Sequence, residues 1–388
     1  MVFKPGITPV PVSGKIIDGA DRASLRNACD EMWLTEGHFT DEFERALEVK
    51  FNRRHALMCN SGSSANLIAL SALELPKGSE VITCAVAFPT TVNPIIQCGL
   101  VPVFVDCEMG TWNIDTRKLE EALSPKTKAV MVCHTLGNPV NMLQVVEFSI
   151  LHSLMLIGDC CDAAGAKYSG REVVSMGNFT TLSFYPAHQI TTGEGGAVLT
   201  DDSRLAKTAE SYRDWGRDCW CPPGKDNTCG KRYAGDYDHK YTYSRIGYNL
   251  KSTDLQASIG ITQLQKLDGF VQRRADNFAY LYAGLIGLPI LMSRPESNSD
   301  PSWFGFAFGT ERRNELTRFL DTHLIGNRPL FAGNITRQPA YKDVTYRIAG
   351  DLDNADYVHS NVLWVGCWPG LTKEMLDYTI EVMHDFYK

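Results

Sequence analysis

Cys219, Cys221 and Cys229 stand in the run CWCPPGKDNTCGKR, a polar loop rich in proline and glycine. Cys84, Cys98, Cys107 and Cys133 lie in or beside apolar, strand-like segments, where cysteine serves as a small buried filler. That explanation does not reach the loop thiols, which are free to bind a metal or a cluster. Asn60–Ser64 (NSGSS) open a helix with small residues. Amides at a helix N-terminus bind phosphate, and Gly62 would let a ligand approach closely; an ordinary serine cap is the competing reading. His188 lies in SFYPAHQITTGEGG, whose GEGG part lacks the GxGxxG spacing of a dinucleotide fold. Asp159–Asp162 (DCCD) bring two carboxylates and two thiols to the end of an apolar run.

These residues need a scaffold, and the pattern around them specifies one. Ser79–Cys84, Val101–Asp106, Lys128–Cys133 and Leu154–Gly158 are short apolar runs rich in branched side chains. Segments with helical spacing lie between them: Ser63–Leu73, Thr91–Cys98 and Thr116–Leu123. Repeated strand–helix–strand units predict an α/β fold with a mostly parallel sheet covered on both faces. Ligands of such sheets bind beyond the carboxyl ends of the strands, where Phe88, His134 and Asp159–Asp162 fall. Side chains alternate along a strand, so Asp159 and Cys161 should share a face while Cys160 packs on the other. A long amphipathic segment, Thr253 to about Leu285, leads out of the large domain. The expected division is residues 1–265, with the cysteine loop around 219–229, and a smaller C-terminal α/β domain over 266–388. Ser293–Ser302 reads as a loop.

The bulk composition narrows the function. With 388 residues, 44% hydrophobic and 21% charged, the chain is an ordinary globular protein of more than one core. A net charge of −7 argues against wholesale nucleic-acid binding. A diphosphate-bearing ligand would need a local basic patch, and Arg328 and Arg337 in NRPLFAGNITRQPAY could grip one as planar forks; a solvated surface pair is the alternative. Met1–Gly14 lack the apolar core of a signal peptide, and no stretch approaches the roughly 18–20 apolar residues of a membrane span. The expected compartment is the cytoplasm, where twelve cysteines stay reduced.

Taken together, SGSSANL, DCCDAAGA, SFYPAHQITTGEGGAVLTDD and GYNLKSTDLQA resemble the sugar aminotransferase family of PLP fold type I. The four motifs occur in the family's order and cover most of the large domain. His188 occupies the position where that family keeps the lysine that binds pyridoxal phosphate. A subset, the sugar 3-dehydratases, has histidine there, and the chain is most similar to the iron–sulfur members of that subset. The resemblance implies pyridoxamine 5′-phosphate (PMP) held noncovalently, its amine condensing with the 4-ketone of a nucleotide-linked 6-deoxyhexose, with CDP favoured as the nucleotide.

The same resemblance implies roles for individual residues. Imidazole is a common general base, and that of His188 would move the proton that allows loss of the C3 hydroxyl. Asp159 would pair with the pyridinium nitrogen and make the ring a better electron sink; the family's usual preceding glutamate is Gly158 here. Asp162 would lie near the cofactor's 3-hydroxyl, and Phe88 would stack on its ring. Gly62, Ser63 and Ser183 would cradle the phosphate. Asn249 would reach that phosphate from the second subunit of a homodimer with shared active sites. Cys161 is followed by 57 residues, Cys219, one residue, Cys221, seven residues and Cys229, the [2Fe–2S] spacing of the iron–sulfur members. Four thiolates suit such a cluster, whereas structural zinc favours cysteine pairs two to four residues apart. Lys225 falls outside those four ligands. An NADH-dependent flavin/iron–sulfur reductase would then supply electrons, giving a 3,6-dideoxy sugar. Two alternatives remain: a cluster-free dehydratase that restores PMP with glutamate, and an inactive sugar- or cofactor-sensing protein.

Overall fold

The computed structural model describes residues 3–221, 224–233 and 235–388. Its strands run, in chain order, β1 His55–Cys59, β2 Glu80–Cys84, β3 Val101–Val105, β4 Thr127–Cys133, β5 Met155–Asp159, β6 Lys167–Tyr168, β7 Arg171–Glu172, β8 Phe179–Ser183, β9 Gly196–Thr200, β10 Leu291–Met292, β11 Ser299–Asp300, β12 Gly305–Gly309, β13 Asn327–Pro329, β14 Arg347–Ile348 and β15 Val362–Gly366. The first eight helices are α1 Gly19–Glu31, α2 His38–Phe51, α3 Gly62–Ala72, α4 Pro89–Gln97, α5 Met142–Leu151, α6 Ser203–Arg213, α7 Asp254–Leu264 and α8 Leu267–Leu285.

Eight strands form the main sheet in the order β1-β9-β8-β5-β4-β2-β3-β14. β9 is antiparallel to both of its neighbours, and the remaining pairs are parallel. The apolar runs read as strands are the parallel ones. Buried along nearly their whole length, they need β-branched and other apolar residues on both faces. Because they run parallel, their carboxyl ends lie on one edge, so Asp159 at the end of β5, Ser183 at the end of β8 and His134 just after β4 converge there.

A second sheet, β10-β12-β15-β13, packs on α8 around Phe278, Trp303, Phe306, Phe308 and Leu363. The two sheets are not cleanly divided along the chain. Val10 bridges to Ile325 and packs in the second core, while β14 adds to the edge of β3 in the first sheet. Among the described residues no helix is long and apolar enough to cross a membrane.

Three expectations are corrected. Thr116–Leu123 forms two 3₁₀ turns, Thr116–Lys118 and Glu120–Ala122, not an α-helix. The Asp115 carboxylate accepts the Arg117 amide at 3.1 Å and pairs with its guanidinium, fixing a tight first turn that does not propagate. The long segment after Thr253 is two helices. α7 starts at a capping box of Thr253 and Gln256, and the chain bends at Gln265–Lys266, where the Lys266 ammonium sits between Asp18 (2.8 Å) and Asp21 (2.6 Å). Ser293–Ser302 is not wholly loop, since β11 pairs with β6 in a third, small sheet.

Candidate functional site

Asp159 is buried at the end of β5, and three donors hold its carboxylate. Asn66 Nδ2 of α3 donates to Oδ2 at 2.8 Å, and Thr91 Oγ1 of α4 donates to the same oxygen at 2.7 Å. Among the described residues Oδ1 accepts the Cys161 amide alone, at 3.2 Å, which leaves it lone pairs for a further donor. Asn66 is itself fixed by the Thr181 hydroxyl of β8, which donates to its Oδ1 at 2.6 Å. Sequence reading missed Asn66, Thr91 and Thr181. Asn66 was within reach, because it lies one helical turn after Gly62 in the SGSSANL motif.

At the start of α3 the Ser61 side chain accepts the Ser64 amide at 3.1 Å. The amides of Gly62 and Ser63 have no partner among the described residues, as expected of donors in a first helical turn. A side chain at Gly62 would place its Cβ 2.5 Å from Ser183 Cβ and 2.9 Å from Cys161 Sγ. The helix start can approach Ser183 and Cys161 this closely only because residue 62 has no Cβ. Unpaired amides, the Ser183 hydroxyl and the helix terminus together suit a phosphate. With Asp159 beside them, they fit a pyridine ring carrying one.

Cys161 shares this cleft, and burial pushes its thiol well above the ordinary range. Cys160 points the opposite way and is wholly buried in the core, as alternation requires.

His188 closes a turn by donating its amide to Tyr185 O at 3.0 Å. Its ring lies 5.3 Å from that of Phe304, and its Nδ1 is 3.2 Å from Asp162 Oδ1. Arg274 of α8, buried, donates to the carbonyls of Ala187 (3.3 Å), His188 (3.2 Å), Trp303 (3.1 Å) and Phe304 (3.2 Å). Phe88 precedes α4 and is exposed, its ring 6.2 Å from Phe331.

Two of the loop thiols, those of Cys219 and Cys229, gather without Cys161. Cys219 and Cys229 sulfurs are 4.0 Å apart, and His239 Nδ1 is 3.6 Å from Cys229. Among the described residues this trio is the one set of three or more such side chains whose donor atoms all lie within 4.8 Å. Cys221 lies in the same loop but outside that trio. Its own burial raises its pKa, but hydrogen bonds from Thr228, the Cys229 backbone and its thiol neighbours outweigh that and hold it at about 6. Burial, with these neighbours, pushes Cys219 up to about 11. Cys219 and Cys229 thus lie together with His239, while Cys161 stands against Gly62 and Ser183.

The remaining candidates are dispersed. Asn249 is exposed and accepts from Lys251 Nζ at 2.6 Å. Arg328 donates to the carbonyl of Asn327 at 2.7 Å. Both arms of the Arg337 fork are taken by Asp356, at 3.0 and 2.6 Å. Among the described residues the two arginines share no partner.

Residues 15–384 match the DegT/DnrJ/EryC1/StrS aminotransferase family. The chain is 48% identical to the lipopolysaccharide biosynthesis protein RfbH of Salmonella typhimurium, over 99% of this chain and 93% of that one. It is also 48% identical to dTDP-4-dehydro-2,6-dideoxy-D-glucose 3-dehydratase of Saccharopolyspora spinosa, over 99% of this chain and 88% of that one. Among solved structures, the E. coli GDP-4-keto-6-deoxy-D-mannose-3-dehydratase with bound hydrated PLP superposes with a TM-score of 0.87 at 28% identity, covering 96% of this chain and 99% of that one.

Proposed function

The chain belongs to the DegT/DnrJ/EryC1/StrS aminotransferase family, with the α/β architecture of PLP fold type I enzymes, and from that premise we propose that it is a PMP-dependent 3-dehydratase of a nucleotide-linked 4-keto-6-deoxyhexose. The observation that carries this reading is the imidazole of His188 beside Asp162, in a turn that contains no lysine. Such a turn can hold and move a proton but cannot bind the cofactor covalently. Two relatives that are named as sugar 3-dehydratases support it.

Bound PMP would supply an amine to condense with the sugar ketone and a ring to take up electrons. Asp159 Oδ1 would accept the pyridinium N–H, its other oxygen being occupied by Asn66 and Thr91. Gly62 and Ser63 amides, with Ser183 Oγ, would hold the phosphate. Phe88, exposed at the cleft mouth, would cover the ring. His188 would take the proton from the cofactor's C4′ carbon, with Arg274 fixing the turn on which it stands. Asn249 would complete the phosphate site of a second subunit, its exposure being compatible with that reach. Arg328 is the better placed of the two arginines for the substrate diphosphate, since Arg337 is already paired.

For the reductive half we propose a [2Fe–2S] cluster on Cys161, Cys219, Cys221 and Cys229, served by an external NADH-dependent reductase. The spacing and the neighbouring thiols of Cys219 and Cys229 support it. The position of Cys161 in the cofactor cleft favours the second reading, a cluster-free dehydratase that restores PMP with glutamate. Anaerobic purification with iron and sulfide analysis, and EPR of the reduced protein, separates the two. Two iron and two sulfide per chain, with turnover on NADH and reductase, supports the first; colourless protein active with glutamate supports the second. A panel of CDP-, dTDP- and GDP-linked 4-keto-6-deoxy sugars identifies the nucleotide. Turnover of none of them, with either electron source, would leave only the sensing role.

A further inference from the structure

We propose that Asp162 is the positioning residue for His188: it holds the imidazole proton on Nδ1 and so leaves Nε2 as the bare nitrogen that takes the proton. The inference deepens the dehydratase reading and rests on His188 acting as the base. It departs from the role that family resemblance implies for Asp162, a contact with the cofactor's 3-hydroxyl.

The geometry is specific. Asp162 Oδ1 lies 3.2 Å from His188 Nδ1, and the two side chains are only 13% and 15% exposed. The separation is right for a hydrogen bond, but its alignment falls short, and Nδ1 is left as a buried polar atom with no other partner. Catalytic hydrogen bonds are commonly loose without ligand and tighten when the site fills. A small rotation of either side chain completes this one. The rest of the site restrains both residues against larger movement. Gln189, the residue after His188, donates through Nε2 to the Asp162 carbonyl and, at 2.9 Å, to Ser302 O. Arg274 grips the His188 carbonyl from the opposite side.

A neutral imidazole has one N–H to place on one of two nitrogens. A carboxylate facing Nδ1 decides the matter electrostatically. With the proton on Nδ1 it gains a hydrogen bond; with the proton on Nε2, the carboxylate oxygen would face the Nδ1 lone pair in a poorly solvated site. Lys15 lines the same small cavity as His188, and an ammonium does not accept this proton. Tyr185 presents its ring at 6.5 Å, edge to face. The Arg274 guanidinium spends its arms on four carbonyls, and burial, its largest influence, lowers its pKa while the field of Asp162 raises it. Phe304 presents a tilted hydrocarbon ring 5.3 Å from the imidazole.

The test uses full-length protein labelled with ¹⁵N-histidine, free of cofactor, so that the tautomer is read without reference to turnover; His188→Asn assigns the signals. The parent should show Nδ1–H and a bare Nε2 at residue 188. Asp162→Asn should lose that single tautomer, Asp162→Glu should restore it, and melting temperatures identify any variant that is misfolded. With PMP and a 4-keto sugar nucleotide, C4′ hydrogen exchange in Asp162→Asn should fall by about 10²–10⁴-fold, the range for losing a general base, with PMP binding unchanged. An unaltered tautomer in folded Asp162→Asn, with PMP affinity lost, would overturn the proposal and return Asp162 to the 3-hydroxyl. Undiminished exchange in His188→Asn would sink the base assignment itself, a result the tautomer measurement does not share.

Discussion

Asn66 Nδ2 donates to Asp159 Oδ2 across 2.8 Å, tying the first turns of α3 to the end of β5. The same amide side chain accepts from Thr181 of β8, so one residue joins three elements at the floor of the cleft. Asn66→Ala would leave the Thr181 hydroxyl unpaired and Asp159 with one donor fewer on that oxygen. Each unsatisfied buried group costs about 1–3 kcal/mol. Chemical denaturation should show a loss of that size, accompanied by weaker PMP binding; an unchanged midpoint would mean that water takes over both bonds.

Gly62 is the narrowest point of the proposed phosphate cradle. In Gly62→Ala the new methyl would meet Ser183 Cβ at 2.5 Å and Cys161 Sγ at 2.9 Å. Relief requires α3 to shift away from β8, a strain of about 1–3 kcal/mol, and PMP affinity should fall by about tenfold or more. Absorbance titration with PMP measures it. Wild-type affinity would place the phosphate elsewhere.

His134 predicts an acid-sensitive fold. Its Nδ1 accepts the Val140 amide at 3.1 Å, so the proton sits on Nε2, and burial holds its pKa down at about 4. The unfolded chain takes up a proton near pH 6.5, but the folded one does not until near pH 4. Stability from this residue is therefore complete above about pH 6.5 and lost as pH falls toward 4, by about 3 kcal/mol in all. Urea midpoints at pH 7.5 and 4.5 should differ less in a folded His134→Gln variant than in the parent. Equal differences would show that His134 is not the titrating group.

His188→Lys converts the proton-moving turn into one able to bind pyridoxal phosphate covalently. The Asp162 carboxylate beside residue 188 can receive the new ammonium. The variant should lose dehydration by at least about 10²-fold and gain a borohydride-reducible chromophore in the visible with pyridoxal phosphate. A variant that dehydrates at the parent rate would remove His188 from the chemistry.

Much of this architecture could be read from the sequence because the parallel strands are buried on both faces, and continuous apolar runs report that directly. Asp159 was legible for the same reason, since it directly follows such a run, whereas Ser183 and the ligand role of Cys161 came from the family resemblance alone. What escaped lies one layer out. Thr181 and Thr91 look like ordinary strand and helix residues, and their work depends on contacts 68 to 115 positions away. Arg274 sits in a helix whose pattern reads as amphipathic, yet it is buried against four carbonyls because the chain around Ala187 and Trp303 meets there. Arg337 looked free until Asp356, 19 residues on, took its fork. Spacing alone groups Cys161 with the loop thiols, whereas the fold sets its sulfur beside Gly62 and Ser183.

The two-residue strand β14 has a consequence for how the chain is made. It is one of the two edge strands of the main sheet, and Ala349 extends its pairing to Phe104 O at 2.9 Å. The edge of β3 that it covers is complete some 240 residues earlier. While the ribosome is still producing the second core, that edge offers unpaired backbone groups to any extended chain nearby. Fragments ending before Arg347 should therefore be the ones that aggregate, even where every residue of the cofactor cleft is present.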